Sequence, residues 1–553
     1  MLTQYNSFNG IGLYEHWGWH APNNETLDFE TGAHDFAQAF ELAKEIGLYV
    51  IYRPGPYSNA EANGGGFPGW LTTGEYGPLR DDNPDWTAAW TRYSKAVADY
   101  VRPYLITNGG NVVMWQLENE YGHQWLDRTL LTPNQSAINY MQTLQDKHRE
   151  WDIDVPYMAN NPNMWTKAWS KDYSNAGGEV DVYGLDHYPA CWTCNLAQCA
   201  PTNGDVEPYT VFDYYTHFQE VSPTQPSFLM EFQGGSYNPW DGPAGGCAEN
   251  MGPTWVNVFY RNNLAQKVSA VNIYMLYGGT NWGNIGIPEV GTSYDYSAPI
   301  HESRLIGDKY SETKLFGLFM RVARDFTKVD LVGNSTEYST NDEIFATELR
   351  NPDTNAAYYV VRHDYSPSTE FSQFRLHVST TDLGNVTVPR NGSITLDGIE
   401  SKTLVTDFRI GSTDKKLIYS TVEVLTVSDL GDRQVVAFWA PQGQSGEVLL
   451  KDATSGRIAN NSTAILTETA EGVIVSFTVG AQKTVIDFDN GIQFVIMDRQ
   501  TAFGMWAPVL SNDPLSWEDE TGNAPLSIVY TDHKRLTEDS PRTRALLSSL
   551  CRN

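Results

Sequence analysis

The chain has 553 residues, 41% of them hydrophobic, more than one ordinary core organises, so two or three domains are expected. Its 37 Lys and Arg against 67 Asp and Glu leave a formal charge of −30. Such a surface repels phosphate backbones and anionic membranes, which argues against nucleic-acid and lipid partners and for an uncharged ligand, although acidity also simply serves solubility.

Taken in order, short apolar runs at 8–14, 49–53, 112–117, 155–159, 182–185, 228–231 and 271–276 alternate with amphipathic stretches such as 34–46, 85–105 and 137–151. That is the rhythm of an α/β protein. Seven strands, each followed by polar and aromatic clusters, predict a (β/α)8 TIM barrel lacking its first strand, which would precede Met1; the barrel domain is placed at 1–325. From 326 the texture turns to Val/Thr alternation and turn dipeptides such as Asn391-Gly392 and Asp397-Gly398, which predicts an antiparallel β-domain over 326–511. Residues 512–553 form a polar tail foreign to this pattern.

Four of the five cysteines, Cys191, Cys194, Cys199 and Cys247, fall in one region. Cys191-x-x-Cys194 has neither a second such pair nor a His cluster to complete a metal site, so disulfides are expected and neither metal nor cofactor is. Cys551 is expected to be unpaired. Sequons at Asn24, Asn334, Asn385, Asn391 and Asn461 agree with secretion, and an extracellular monomer is expected.

In a barrel of this kind the site is built at the C-terminal ends of the strands. Those ends carry Tyr14-Glu15-His16-Trp17, Arg53-Pro54-Gly55-Pro56-Tyr57, Gln116-Leu117-Glu118-Asn119-Glu120, Asp186-His187-Tyr188 and Met230-Glu231-Phe232. Glycoside hydrolysis needs one carboxylic acid to protonate the leaving oxygen and a second carboxylate to attack or to activate water. Glu120 and Glu231 follow different apolar strands, and an apolar setting raises the pKa of an acid that must be protonated, the role expected of Glu120. A single Glu at a strand end is more often a salt-bridge partner or a helix cap. Two on different strands lower that prior. Glu118 rivals Glu120, because it would lie on the same face if the strand continued; periodicity does not decide between them. Abundant aromatics (17 Trp, 31 Tyr) fit sugar recognition, though most aromatics are core.

The segments Arg53–Glu61 (RPGPYSNAE), Gly64–Trp70 (GGGFPGW), Gln116–Tyr121 (QLENEY), Gly278–Trp282 (GGTNW) and Thr292–Tyr296 (TSYDY) resemble family 35 glycoside hydrolases, and within that family the large secreted β-galactosidases of filamentous fungi. The likeness runs from about residue 6 to about 510. It implies a retaining double displacement on terminal β-galactosyl residues without a metal, with β-galactosides such as lactose or galactan-type oligosaccharides as substrates. By motif it makes Glu120 the acid/base and Glu231 the nucleophile. Tyr14, Asn59, Ala60, Glu61, Asn119, Tyr188, Tyr274 and Tyr296 match positions lining the galactose pocket, Tyr274 being preferred to Tyr277 on spacing. Cys194 and Cys247 match a family disulfide, and Cys191 with Cys199 would form an additional one. The alternative expectation is a carbohydrate-binding remnant that keeps the pocket without turnover.

Overall fold

The computed structural model describes residues 8–124, 133–190, 207–240, 242, 247, 250–411, 413–429, 432–459, 462–506 and 529–530. Seven parallel strands lie side by side in sequence order: β1 (Gly10–Tyr14), β2 (Tyr49–Arg53), β3 (Val112–Gln116), β4 (Tyr157–Asn161), β5 (Val182–His187), β6 (Phe228–Gln233) and β7 (Ala270–Tyr274). The sheet curls into a near-closed barrel. β1 and β7 are not hydrogen-bonded to each other, and a cavity of about 490 Å³ lies between them, lined by residues 8–14 of one strand and 269–277 of the other.

The helices that cover the sheet are α1 (Ala37–Glu45), α2 (Pro84–Val101), α3 (Gln135–Glu150), α4 (Tyr214–Val221), α5 (Pro253–Ala265) and α6 (Asp308–Val322). Their starts are written locally. Asn83, Asn134 and Asp213 each accept from backbone N–H groups of the first turn, and Pro84 and Pro253 sit where a missing N–H costs nothing. On α2, Trp86, Trp90, Tyr93, Val97 and Val101 are all buried, one stripe at helical spacing packed on the sheet.

Inside the barrel, Ile51, Met114, Met158, Val182, Phe228, Met230 and Ala270, from six of the seven strands, pack into one apolar plug. One step nearer the C-terminal ends of β2, β3, β4 and β5, on the same face, stand Arg53, Gln116, Asn160 and Asp186. The barrel is therefore apolar at its floor and polar at its mouth. β6 breaks the alternation. The pairing of β5 with β6 shifts between Leu185 and Asp186, so that Asp186 stands opposite Glu231, and the pairing of β6 with β7 shifts between Leu229 and Phe232. Met230 and Glu231 thus both serve the interior, which a strictly pleated strand cannot arrange.

The remaining described chain is mostly β. One eight-stranded sheet begins Asp330–Ser335, Ile344–Arg350, Ala357–His363, and a five-stranded sheet has Gln434–Ala440 and Ile492–Asp498 at its centre. Pairing is antiparallel as expected except between those two central strands, which run parallel. A short helix, Arg499–Phe503, also interrupts the expected all-strand texture. Buried charge joins this region to the barrel: Arg261 of α5 reaches Glu423 at 2.8 Å and Glu312 of α6 at 3.3 Å, and Arg499 adds a 2.8 Å bridge to Glu312.

Candidate active site

Glu231 is buried in β6, and four donors converge on its carboxylate. Tyr14 O–H and Arg53 Nη2 donate to Oε1, each at 2.5 Å; Asn160 Nδ2 stands 3.5 Å from the same oxygen; Tyr188 O–H donates to Oε2 at 2.5 Å. Arg53 also donates to the Tyr14 hydroxyl and lies over its ring at 3.9 Å. Burial by itself disfavours the Arg53 cation, but Tyr14, Glu231 and Asp186 around it hold its pKa above the usual value. Such a set of donors suits a carboxylate anion.

Glu120 has the opposite surroundings. Among the described residues the only side-chain donor to it is Asn59 Nδ2, at a long 3.4 Å from Oε2. Burial, with the negative charge of Glu231 next and that of Glu61 further down, raises its pKa to about 8.

At Glu118 and Glu120 the backbone has left the strand. β3 ends at Gln116, and the chain then passes through left-handed φ values at Glu118 (64°) and Glu120 (49°), so strand alternation no longer applies. Glu118 is fully buried and occupied: Arg80 binds Oε2 at 2.6 Å, and Tyr140 O–H donates to Oε1 at 2.9 Å. It is a structural ion pair that anchors the turn. Asn119, between them, uses its oxygen to accept from Arg53 (2.9 Å), Asn160 (2.9 Å) and Gln116 (3.3 Å), so it can meet a ligand only through its NH2 group.

Asn59, Ala60 and Glu61 form a turn in which three successive non-glycine residues have positive φ (52°, 53° and 47°). Such a turn is costly unless held. Here Asn59 N–H donates to the Gly65 carbonyl at 3.1 Å and Ile287 N–H to the Glu61 carbonyl at 2.9 Å. Gly65 must be glycine, because a Cβ there would stand 1.9 Å from the Tyr57 ring. Glu61 Oε2 accepts from Tyr274 O–H at 2.8 Å and also from Tyr294 O–H. Burial lifts its pKa to about 7, against the opposing pull of those two hydroxyls.

Tyr274, at the end of β7, packs edge-on against Tyr14, Tyr188 and Tyr296 with ring centroids 6.0, 6.2 and 5.2 Å away. Tyr277 instead pairs with Ile300 and packs in the sheet–helix core, so of the two it is Tyr274 that faces the carboxylates. The Tyr296 hydroxyl is buried and has no hydrogen-bond partner among the described residues. The loop carrying it touches the chain after Glu231: a Cβ at Gly235 would lie 1.7 Å from the Tyr296 carbonyl oxygen.

The structure thus gathers Tyr14, Asn59, Ala60, Glu61, Asn119, Glu120, Tyr188, Glu231, Tyr274 and Tyr296 at one end of the barrel. It adds residues that the sequence reading left unassigned: Arg53, Tyr294, Asn160 and Asp186. Arg53 could have been found as the lone cation closing a strand; Asn160 could not, because the fourth strand was placed at 155–159, two residues early. Cys247 is buried and disulfide-bonded. Cys191, Cys194, Cys199 and Cys551 lie outside the described residues, as does most of 512–553. Among the described residues no cluster of three or more His, Cys, Asp or Glu is placed to hold a metal ion, and no helix is long and apolar enough to cross a membrane.

A barrel with an acid of raised pKa near a second carboxyl that gathers tyrosine, arginine and amide donors defines a class, the barrel glycoside hydrolases that work with a carboxyl pair. The chain belongs to the glycosyl hydrolases family 35, whose model matches residues 3–318. A second model, beta-galactosidase domain 2, matches residues 326–504. Similar relatives include the probable beta-galactosidase B of Neosartorya fischeri, 50% identical over 519 residues, and that of Emericella nidulans, 51% identical over 520. These alignments cover 93% of this chain but 51% and 50% of the relatives, so the chain spans about half the length of the curated relatives it matches.

Proposed function

We propose that this chain carries the catalytic site of a retaining β-galactosidase that removes terminal β-D-galactosyl residues from the non-reducing end of β-galactosides. The observation behind this is the unequal treatment of the two carboxyls, with four donors around Glu231 against a single long one at Glu120 among the described residues. Glu231 attacks the anomeric carbon as the bond to the leaving oxygen breaks, and Glu120 gives that oxygen its proton. Water then attacks the same carbon, Glu120 takes the water's proton, and the Glu231 carboxylate departs, so two inversions return the β configuration.

In this reading galactose lies against Tyr14, Tyr188, Tyr274 and Tyr296. Glu61, Asn59 and the Ala60 backbone hold the hydroxyls that distinguish it, and the Asn119 NH2 group donates to the 2-hydroxyl. The orphan hydroxyl of Tyr296 is the kind of group that a bound sugar would satisfy. A remnant that binds without turnover has no support in a site where both carboxyls and their partners are in place. The division at 325/326, the Cys194–Cys247 disulfide, N-glycosylation, secretion and a monomeric state belong to the same proposal.

The test is release of nitrophenol from nitrophenyl β-D-galactoside, compared with the β-glucoside, which lacks the axial 4-hydroxyl. Equal rates on the two sugars, or no turnover of either, would contradict the reading.

A further inference from the structure

We infer that Asn160 is a positioning residue shared by both carboxyls, and that Asp186 is the fixed acceptor holding it in place. This rests on the reading of Glu120 as acid/base and Glu231 as nucleophile. Asn160 is the fourth residue of β4, points into the barrel and is 1% exposed. Its amide orientation is set by chemistry. Glu120 N–H and Gln116 Nε2 both aim at one end, at 3.0 and 2.9 Å, and two N–H donors can be accepted only by oxygen. The NH2 end is thereby turned to Asp186 Oδ2 (2.5 Å), Asn119 Oδ1 (2.9 Å) and, more distantly, Glu231 Oε1 (3.5 Å).

One side chain therefore touches the backbone of the acid/base, the amide beside it and the edge of the nucleophile. The bond to Glu120 N–H matters because Glu120 sits at φ 49°, a conformation a residue with a Cβ holds only when its neighbours enforce it. An amide that could flip would aim a second NH2 group at Glu120 N–H and release that turn. Asp186 prevents the flip. It is fully buried, and its other oxygen has no partner among the described residues. Burial, reinforced by the nearby Glu231 and Glu120 charges, raises its pKa well above the usual carboxyl value.

The experiment uses the 553-residue chain with Asn160→Ala, Asp186→Ala and Asp186→Asn, assayed on dinitrophenyl, nitrophenyl and methyl β-D-galactosides. A mispositioned acid harms most the substrate that needs most protonation. Asn160→Ala is expected to lose about 100-fold in kcat/KM on the methyl galactoside and no more than about tenfold on the dinitrophenyl one, with inhibition by free galactose within about threefold of wild type. Asp186→Ala should follow it. Asp186→Asn keeps an accepting oxygen and should stay within about fivefold of wild type on all three substrates. A loss shared equally by all substrates together with weaker galactose binding, or no loss at all, overturns the inference.

A structure of Asn160→Ala reads the same point without turnover. Glu120 moved out of its left-handed conformation, or Asn119 turned, supports the role; both unmoved overturns it whatever the wild-type activity. Failure of the wild type to release galactose counts against the functional reading instead.

Discussion

Replacing Glu61 by Gln should make the protein more stable at high pH and a poorer binder of galactose. The Glu61 carboxyl titrates at about 7 in the folded protein against 4.5 in an open chain, because burial disfavours its charged form more than the hydroxyls of Tyr274 and Tyr294 favour it. The folded protein thus holds this proton more tightly than the unfolded chain. The stability it confers is complete below pH 4.5 and is lost as the pH rises through 7. With those two values, the wild type has given up about 0.8 kcal/mol at pH 5 and about 3.4 kcal/mol at pH 9, a further loss of about 2.5 kcal/mol. Gln does not ionise, keeps an oxygen for Tyr274 and Tyr294, and escapes that loss. Urea unfolding of both proteins at pH 5 and pH 9 reads the difference directly: the stability of Glu61→Gln relative to wild type should improve by about 2.5 kcal/mol between the two conditions. Galactose inhibition measured at pH 9, where the Glu61 carboxyl is ionised, should weaken roughly 10- to 100-fold, the loss of one or two charge-assisted hydrogen bonds at about 1.5–3 kcal/mol. Parallel pH dependence of stability in the two proteins would refute the buried-acid argument. Unchanged galactose binding would refute the role of Glu61 in hydroxyl recognition.

Glu120→Gln should spare dinitrophenyl galactoside far more than methyl galactoside, and the alkaline limb of the wild-type kcat/KM profile should fall at about pH 8, where Glu120 gives up its proton. Glu231→Gln should abolish covalent labelling by a fluorosugar, seen as a missing mass increment, and proton NMR of the wild-type reaction should show β-galactose formed first. Arg261→Met leaves the Glu423 carboxylate buried with a single described donor, the Thr403 N–H, and should cost about 3–5 kcal/mol in denaturant unfolding while the activity per folded molecule stays unchanged.

Much of the barrel was legible because a strand buried on both faces is an apolar run, and such runs stand out whatever surrounds them. All seven strands and the three helices expected from pattern are present, with ends that shift by a few residues. At the fourth strand that shift mattered: the expected end at 159 stops short of Asn160 and Asn161, whose polarity looks like a loop until Gln116, Asn119 and Asp186 are seen to satisfy Asn160.

The sequence by itself determined the alternation of strands and helices, the clustering of polar residues at the strand ends, and the two glutamates as a pair. These depend on local composition and spacing. Which donors meet which carboxyl was decided only by the tertiary structure. Glu231 enters the barrel because β6 slips against both neighbours, and left-handed backbone at Glu118 and Glu120 ends the strand alternation there. Tyr14, Arg53 and Tyr188 arrive from three other parts of the chain at one carboxyl, while burial raises the pKa of the other. A pKa is set by what stands within a few ångströms, and no residue carries that information in its own sequence neighbours.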